Sequence, residues 1–387
     1  MSETKSHTLP RGKVDHGIVY RRDDEFCGWV FTSGMWDTAD GSILVGFKRN
    51  KNLYRGAGDV HHDNVTEEQK NEVMLIRSYD RGETWDESSL VKIWERSISE
   101  ADVLAQGPQD YCDEEPLDFT SKDVLVANGS TPTYGLPETR TWVRVSTDGG
   151  RHWRRPLILP LTGLHALAGT SSSMVRQEDG RSLLFLAAIS ADGWTRRPVV
   201  YASLDGGTGW TFLSFITPKL DDGAADGDWK TSYRFGGHRW FYCTGIQLPS
   251  GKILCSVRCQ RDPTGVMWTE IFESDDGART WRFLSRVNDW GAPGDIVRMQ
   301  DGRIVCVYGY RVRPQGIRAR ISEDEGRTWG PELILRDDGG SWDLGYPRVV
   351  ERAPGELLAV YYFNTKDDPI QANGGVRHIA RTIFRPD

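Results

Sequence analysis

The chain has 387 residues, 38% of them hydrophobic, and a formal net charge of −7 from 48 basic and 55 acidic side chains. A mildly acidic balance with no concentrated basic stretch argues against a nucleic-acid partner, and no apolar run approaches the roughly 20 residues of a membrane-crossing helix. The polar start, residues 1–14, lacks the apolar stretch of a secretory signal, so a cytoplasmic protein is expected.

The six cysteines, Cys27, Cys112, Cys243, Cys255, Cys259 and Cys306, include no Cys-x-x-Cys pair. That argues against a zinc or redox site and makes small buried thiols the expectation for Cys255 and Cys306. No metal and no cofactor is implied.

In chain order, the first apolar run is Gly17-Ile18-Val19-Tyr20, after an N-terminal extension of residues 1–15. A strand-turn-strand pattern then begins at Asp40-Gly41-Ser42-Ile43-Leu44-Val45. It returns with turn glycines at Gly180, Gly251, Gly302 and Gly355, and in a degenerate copy at Ser121-Lys122-Asp123-Val124. Turn dipeptides between apolar runs are hairpin signals. Behind most of these hairpins stands an octapeptide of the form S-x-D-x-G-x-T-W, in clean copies starting at Ser78 and Ser322 and looser ones starting at Ser146, Ser203 and Ser274. It reads as a tight second hairpin: the aspartate bonds backbone amides, the glycine takes a left-handed conformation, and the tryptophan packs sideways on a neighbouring repeat.

Two hairpins per repeat give four strands, the content of a propeller blade. Six blades are expected, at about residues 26–91, 106–160, 164–217, 239–287, 291–335 and from 342 onward. The last has no octapeptide. Its third strand is expected at residues 376–384, and the run at 17–20 is expected to pair beside it, so that both chain ends close one ring. The fold class is therefore all-β, a six-bladed β-propeller spanning residues 16–387 as one domain. Three polar insertions, residues 50–72, 97–115 and 219–238, stand out as loops on a rigid scaffold, where function tends to sit.

With this octapeptide, known as the Asp-box, and with six blades, the chain resembles the sialidase (neuraminidase) superfamily over residues 17–384. The resemblance implies a glycosidase with a tyrosine nucleophile partnered by a glutamate, an aspartate as acid/base, and three arginines gripping the substrate carboxylate. Tyrosine is an exception to the usual carboxylate pair. The nucleophile's place, just before the hairpin of the last blade, falls on Tyr346 in Leu344-Gly345-Tyr346-Pro347. One arginine falls on Arg258 and another, shifted, on Arg311 or Arg313. Two positions depart from the pattern. The stretch Trp29-Val30-Phe31-Thr32 has no first arginine, and Tyr242-Cys243-Thr244 stands where the glutamate belongs.

A phenol near pKa 10 needs a base to become nucleophilic. Asp113, Glu114 and Glu115, before the blade-two hairpin, include a candidate, and Glu115 is the one taken forward. For acid/base chemistry the blade-one loop offers Asp59, His61, His62 and Asp63. His238, Arg239 and Arg348 can meet a sugar acid or bond a loop carbonyl, and Tyr242 faces the same region. Trp36, Trp229, Trp240 and Trp342 lie outside the octapeptides and suit either sugar stacking or packing between blades. The first reading is a sialidase-like glycoside hydrolase that removes a terminal, acidic sugar from a carbohydrate partner. A lyase or histidine-based glycosidase acting on a uronic-acid linkage, and a non-catalytic glycan- or protein-binding propeller, are the alternatives.

Overall fold

A computed structural model describes residues 7–8, 14–60, 71–95, 115–131, 139–177, 180–191, 196–218, 239–260 and 266–386. The chain divides into two compact units, residues 98–289 in one and residues 1–97 with 290–387 in the other. Each unit holds three sheets whose blade strands run antiparallel, and these are the six blades of a β-propeller.

The discontinuous unit contains blades one, five and six. Blade six comprises Gly345–Ala353, Glu356–Phe363 and His378–Phe384, and Val14–Tyr20 completes it. Val14 lies opposite Phe384 and Gly17 opposite Arg381, so the first long strand pairs antiparallel with the last, as the sequence suggests. Blade five comprises Gly294–Arg298, Ile304–Tyr310, Gly316–Ser322 and Leu333–Arg336. A short strand, His7–Thr8, extends it in parallel against Leu333 and Ile334, which the sequence does not announce. In blade one the first strand is broken. Glu25–Gly28 and Met35–Asp37 both pair with Ile43–Lys51, and one helical turn, Val30–Ser33, lies between them. Blades five and six share an apolar core that includes Val305, Val307, Leu344, Leu357, Tyr361 and Phe363.

The continuous unit contains blades two, three and four. Blades three and four show four strands each. Blade two shows three, Leu125–Thr131, Arg140–Ser146 and Leu157–Ile158, and its expected first strand lies outside the described residues. Leu167, Leu184 and Tyr201 pack with Val126 and Val143 between blades two and three. Phe185 and Val200 pack with Cys243, Cys255 and Val257 between blades three and four. The five described cysteines are all buried thiols, which suits a small apolar side chain in a strand core.

The octapeptide forms the same turn five times, always between the third and fourth strands. Each serine hydroxyl donates to the aspartate two residues on, at 2.8–2.9 Å. It also accepts the N–H four residues on, at 2.7–3.0 Å. Each aspartate accepts the N–H four residues beyond itself, at 2.8–2.9 Å. These bonds satisfy turn amides that burial would otherwise leave without a partner. Two of the tryptophans reach the preceding blade. The Trp281 indole donates to Ser214 Oγ at 3.1 Å, and Trp210 meets Phe119 edge-on at 6.1 Å.

Candidate functional site

Blade six carries a bulge in its first strand. Gly345 lies opposite Tyr362, but Arg348 lies opposite Val360, so the first strand holds one residue too many. Tyr346 absorbs the excess with φ 51°, in the left-handed region. That conformation costs an L-residue roughly 1–2 kcal/mol and persists only where the surroundings impose it. Tyr346 is 6% exposed, and the Arg311 guanidinium carbon stands 5.2 Å from its ring centroid. Arg311 also lies 5.5 Å from the ring of Trp342, which is 54% exposed.

Two glycines make this meeting possible. A Cβ on Gly309 would fall 2.9 Å from the Gly345 Cα, and one on Gly345 would fall 2.7 Å from the Gly309 Cα. Backbone therefore packs on backbone between blades five and six. Arg311, two residues past Gly309, is thereby brought over Tyr346, one residue past Gly345.

Beneath them lies a buried polar floor. The Tyr346 and Tyr362 rings are 5.9 Å apart. The Tyr362 hydroxyl donates to Asp343 Oδ1 at 2.7 Å, and Arg377 Nε donates to Asp343 Oδ2 at 3.3 Å. Arg377 is fully buried and also donates to Ser341 Oγ and the Gly375 carbonyl, at 3.0 and 2.8 Å. The Arg377 backbone N–H reaches the Tyr54 hydroxyl at 3.0 Å, which donates to the Glu25 carbonyl at 2.9 Å. Burial, with the Asp343 charge, pushes the Tyr362 phenol well up, against the opposing pull of Arg311. Tyr362 thus keeps its proton and is a buried hydrogen-bond donor to Asp343, with the Tyr346 ring tilted against it.

Blade one adds another left-handed aromatic residue to this unit. Trp29 has φ 57° where the first strand breaks into the helical turn. It stacks on Phe26 at 5.2 Å and lies 5.8 Å from Tyr362, and Lys48 Nζ stands 5.7 Å from its ring centroid. Arg348 points elsewhere. It pairs with Asp295 Oδ1 at 3.4 Å, while Asp295 Oδ2 accepts the Val349 N–H at 2.8 Å.

The other unit repeats the device at Tyr242. Phe241 lies opposite Arg258 and Cys243 opposite Val257, so Tyr242 is the bulged residue, with φ 54°. The Arg258 guanidinium lies 4.5 Å from the Phe241 ring and 5.3 Å from the Tyr242 ring, and it donates to Gln260 Oε1 at 2.9 Å. In the same blade, the indoles of Trp240 and Trp268 both donate to the Glu270 carboxylate, at 3.1 and 2.8 Å.

The remaining candidates are placed as follows. Asp59 ends a short 3-10 turn, and its Oδ2 accepts the N–H groups of Arg55 and Gly56 at 3.1 Å each. Glu115 is exposed, beside Leu117 and Arg154 at the entrance to blade two. His61, His62, Asp63 and His238, with Asp113, Glu114 and Trp229, lie outside the described residues. Tyr346 and Arg311 are brought together in one unit, and Arg258 and Tyr242 in the other. Trp29, Lys48, Asp343 and Tyr362 are not singled out by the sequence reading. One signal was available: Tyr242 and Tyr346 each stand nine residues before a turn glycine, Gly251 and Gly355.

The chain matches no protein-family model. It is 28% identical over 216 residues to a sialidase of Micromonospora viridifaciens, a match covering 50% of this chain and 31% of that one. The match thus spans about a third of that sialidase's length. A protein of unknown function from Dyadobacter fermentans superposes with a TM-score of 0.71 at 21% identity, covering 97% of this chain and 100% of that one. An alpha-L-arabinofuranosidase of Fusarium graminearum superposes with a TM-score of 0.58 at 15% identity, covering 92% and 93%. At such identities the two structures speak to the fold, and the sequence match carries the link to sialidases.

Proposed function

For this sialidase homologue on a six-bladed propeller, we propose the function of a glycoside hydrolase that removes a terminal, acidic sugar from a glycan or oligosaccharide, with Tyr346 as nucleophile. The observation that carries the reading is the strained placement of Tyr346 at a strand bulge, with the Arg311 guanidinium 5.2 Å from its ring. Strain of this kind clusters at functional sites. A guanidinium beside the ring also lowers the cost of negative charge on a phenol that must give up its proton to attack.

In this reading Arg311 has two tasks. It meets the acid group of the sugar, and it stabilises the developing phenolate. The Asp343–Arg377 pair holds Tyr362 and, through it, the position of the Tyr346 ring. Arg348, with Asp295 at 3.4 Å, serves to anchor the strand. The acid/base is assigned to the blade-one loop, to Asp59 or to His61, His62 or Asp63, and the proton that leaves Tyr346 passes through that group to the departing sugar oxygen. The missing first arginine argues for an acid sugar other than sialic acid, and the arabinofuranosidase shows that glycosidase chemistry on this fold extends beyond sialidases.

The test is release of 4-nitrophenol from a panel of aryl sialosides, glucuronides, galacturonides and arabinofuranosides. The wild type is expected to turn over an acidic member, and Tyr346→Phe to lose about a thousandfold or more in kcat, as a glycosidase does without its nucleophile. Full turnover by Tyr346→Phe removes the assignment. No turnover on any acidic glycoside removes the acidic-sugar reading.

A further inference from the structure

Tyr54 stands just past the strand Ile43–Lys51, where the blade-one insertion leaves the sheet. It is buried, and its backbone is left-handed at φ 50°. A bulky residue keeps that conformation only where its surroundings impose it. Here the hydroxyl is held from two sides, accepting the Arg377 N–H at 3.0 Å and donating to the Glu25 carbonyl at 2.9 Å. The Arg377 carbonyl in turn accepts the Cys27 N–H at 3.0 Å, so the Arg377 main chain is tied to blade one through both of its polar groups. The Arg377 side chain bonds Asp343, Asp343 accepts the Tyr362 hydroxyl, and the Tyr346 ring tilts against Tyr362. In the other direction along the chain, Tyr54 leads straight into the turn of Asp59. The two N–H groups that Asp59 Oδ2 accepts, at 3.1 Å each, belong to Arg55 and Gly56, the next residues after Tyr54. These bonds fix the orientation of a carboxylate whose side chain is still 35% exposed. One unbroken series of contacts within this unit therefore joins Asp59 to Tyr346, and Tyr54 is the link between turn and floor.

We propose that Tyr54 is a positioning residue that sets Asp59, as the acid/base group, relative to Tyr346. The inference rests on the glycosidase reading with Tyr346 as nucleophile, and it narrows the blade-one candidates to Asp59. Tyr54 itself meets no substrate. Its hydroxyl pegs the root of the Asp59 turn to the same arginine whose side chain holds the floor under Tyr346, so both reacting groups share one reference point. Removing the hydroxyl takes two bonds from a buried place and frees the root to shift. A misplacement near 1 Å costs about a hundredfold in a step that needs a positioned group.

The test compares Tyr54→Phe, Asp59→Asn and the double variant on methyl and dinitrophenyl glycosides of the sugar that the wild type releases. Methoxide leaves only with a proton delivered to it, whereas dinitrophenolate is stable as an anion, and kcat/KM reports the step in which either departs. Tyr54→Phe and Asp59→Asn are each expected to lose about tenfold or more on the methyl glycoside beyond their loss on the dinitrophenyl one. The double variant is expected to lose no more than Asp59→Asn alone, because Tyr54 acts through Asp59. Equal losses by Tyr54→Phe on both glycosides mark a purely structural role and overturn the inference. Additive losses in the double variant, or an Asp59→Asn protein without the leaving-group dependence, overturn it too. If Tyr54→Phe does not fold, Tyr54→His, which tolerates the left-handed backbone and lacks the reach of the phenol, is read in the same way. Tyr346→Phe separates this inference from the reading beneath it. Should Tyr346→Phe be inactive while Tyr54→Phe loses equally on both glycosides, the positioning role alone fails. If instead Tyr346→Phe keeps full turnover while Tyr54→Phe shows the selective loss, the nucleophile assignment fails and Tyr54 keeps its role. A wild type that cleaves no glycoside overturns both.

Discussion

The contact between Gly309 and Gly345 makes the site sensitive to one added methyl group. In Gly309→Ala the new Cβ would lie 2.9 Å from the Gly345 Cα and 3.3 Å from the Leu344 carbonyl oxygen. Carbon–carbon contacts rest near 3.5–4.0 Å, so blades five and six must part by roughly 0.6–1 Å. Both obstacles are backbone, which no rotamer change can move aside. Overpacking of this kind costs about 1–3 kcal/mol. The same shift moves Arg311 away from Tyr346, and a misplacement near 1 Å costs about a hundredfold in rate. Urea unfolding measures the first effect, as a lower midpoint at unchanged slope. The turnover of whichever aryl glycoside the wild type cleaves measures the second. Gly56→Ala is the control, because its Cβ meets nothing within 4 Å and its φ is −161°. It should stay within about 0.5 kcal/mol of the wild type. A Gly309→Ala protein as stable and as active as Gly56→Ala would refute the reasoning, since the strands would then be free to give way.

Two further outcomes follow from the buried charges of the same unit. Asp343→Ala leaves the fully buried Arg377 without its carboxylate and should cost about 3–5 kcal/mol in urea unfolding, and a loss below about 1 kcal/mol would show the pair to be dispensable. His378 is buried, and burial draws its pKa from 6.5 down to about 4. Between those values the unfolded chain binds the proton and the folded one does not, so stability falls as pH drops from about 6.5 to about 4, by about 3 kcal/mol in all. His378→Gln should lack that component of the slope, and equal slopes in both proteins would remove His378 as its source.

The fold was legible because its information is local. The octapeptide carries in eight consecutive residues every group its turn needs, and the same three hydrogen bonds recur in all five copies. The pairing of Val14–Tyr20 with His378–Phe384 was legible for a different reason: a run of strand character at one chain end matched a vacancy at the other. His7–Thr8 and the helical turn Val30–Ser33 were not legible, since two residues and four residues carry no periodicity to read. The site divides in the same way. Tyr346 could be found from its place before a hairpin. Its floor could not, because Tyr362, Asp343 and Arg377 meet through contacts between separate strands and loops.

The bulge position is where the two kinds of information join. Nine residues before the turn glycine stands Tyr346 in blade six, Tyr242 in blade four, Ser171 in blade three and Pro293 in blade five. In blades three, four and six the strand register slips at that point. Blade one inserts a helical turn there, and Trp29 stands twelve residues before Gly41 with the same left-handed backbone. A scaffold that repeats the backbone device while varying the side chain separates the two demands on the sequence. Strand pairing and turns fix where the bulged residue sits, and its identity decides what it does there. Aromatic residues stand at three of these positions, each with a cation over the ring, and Tyr242 stands in blade four where the sialidase pattern has its glutamate.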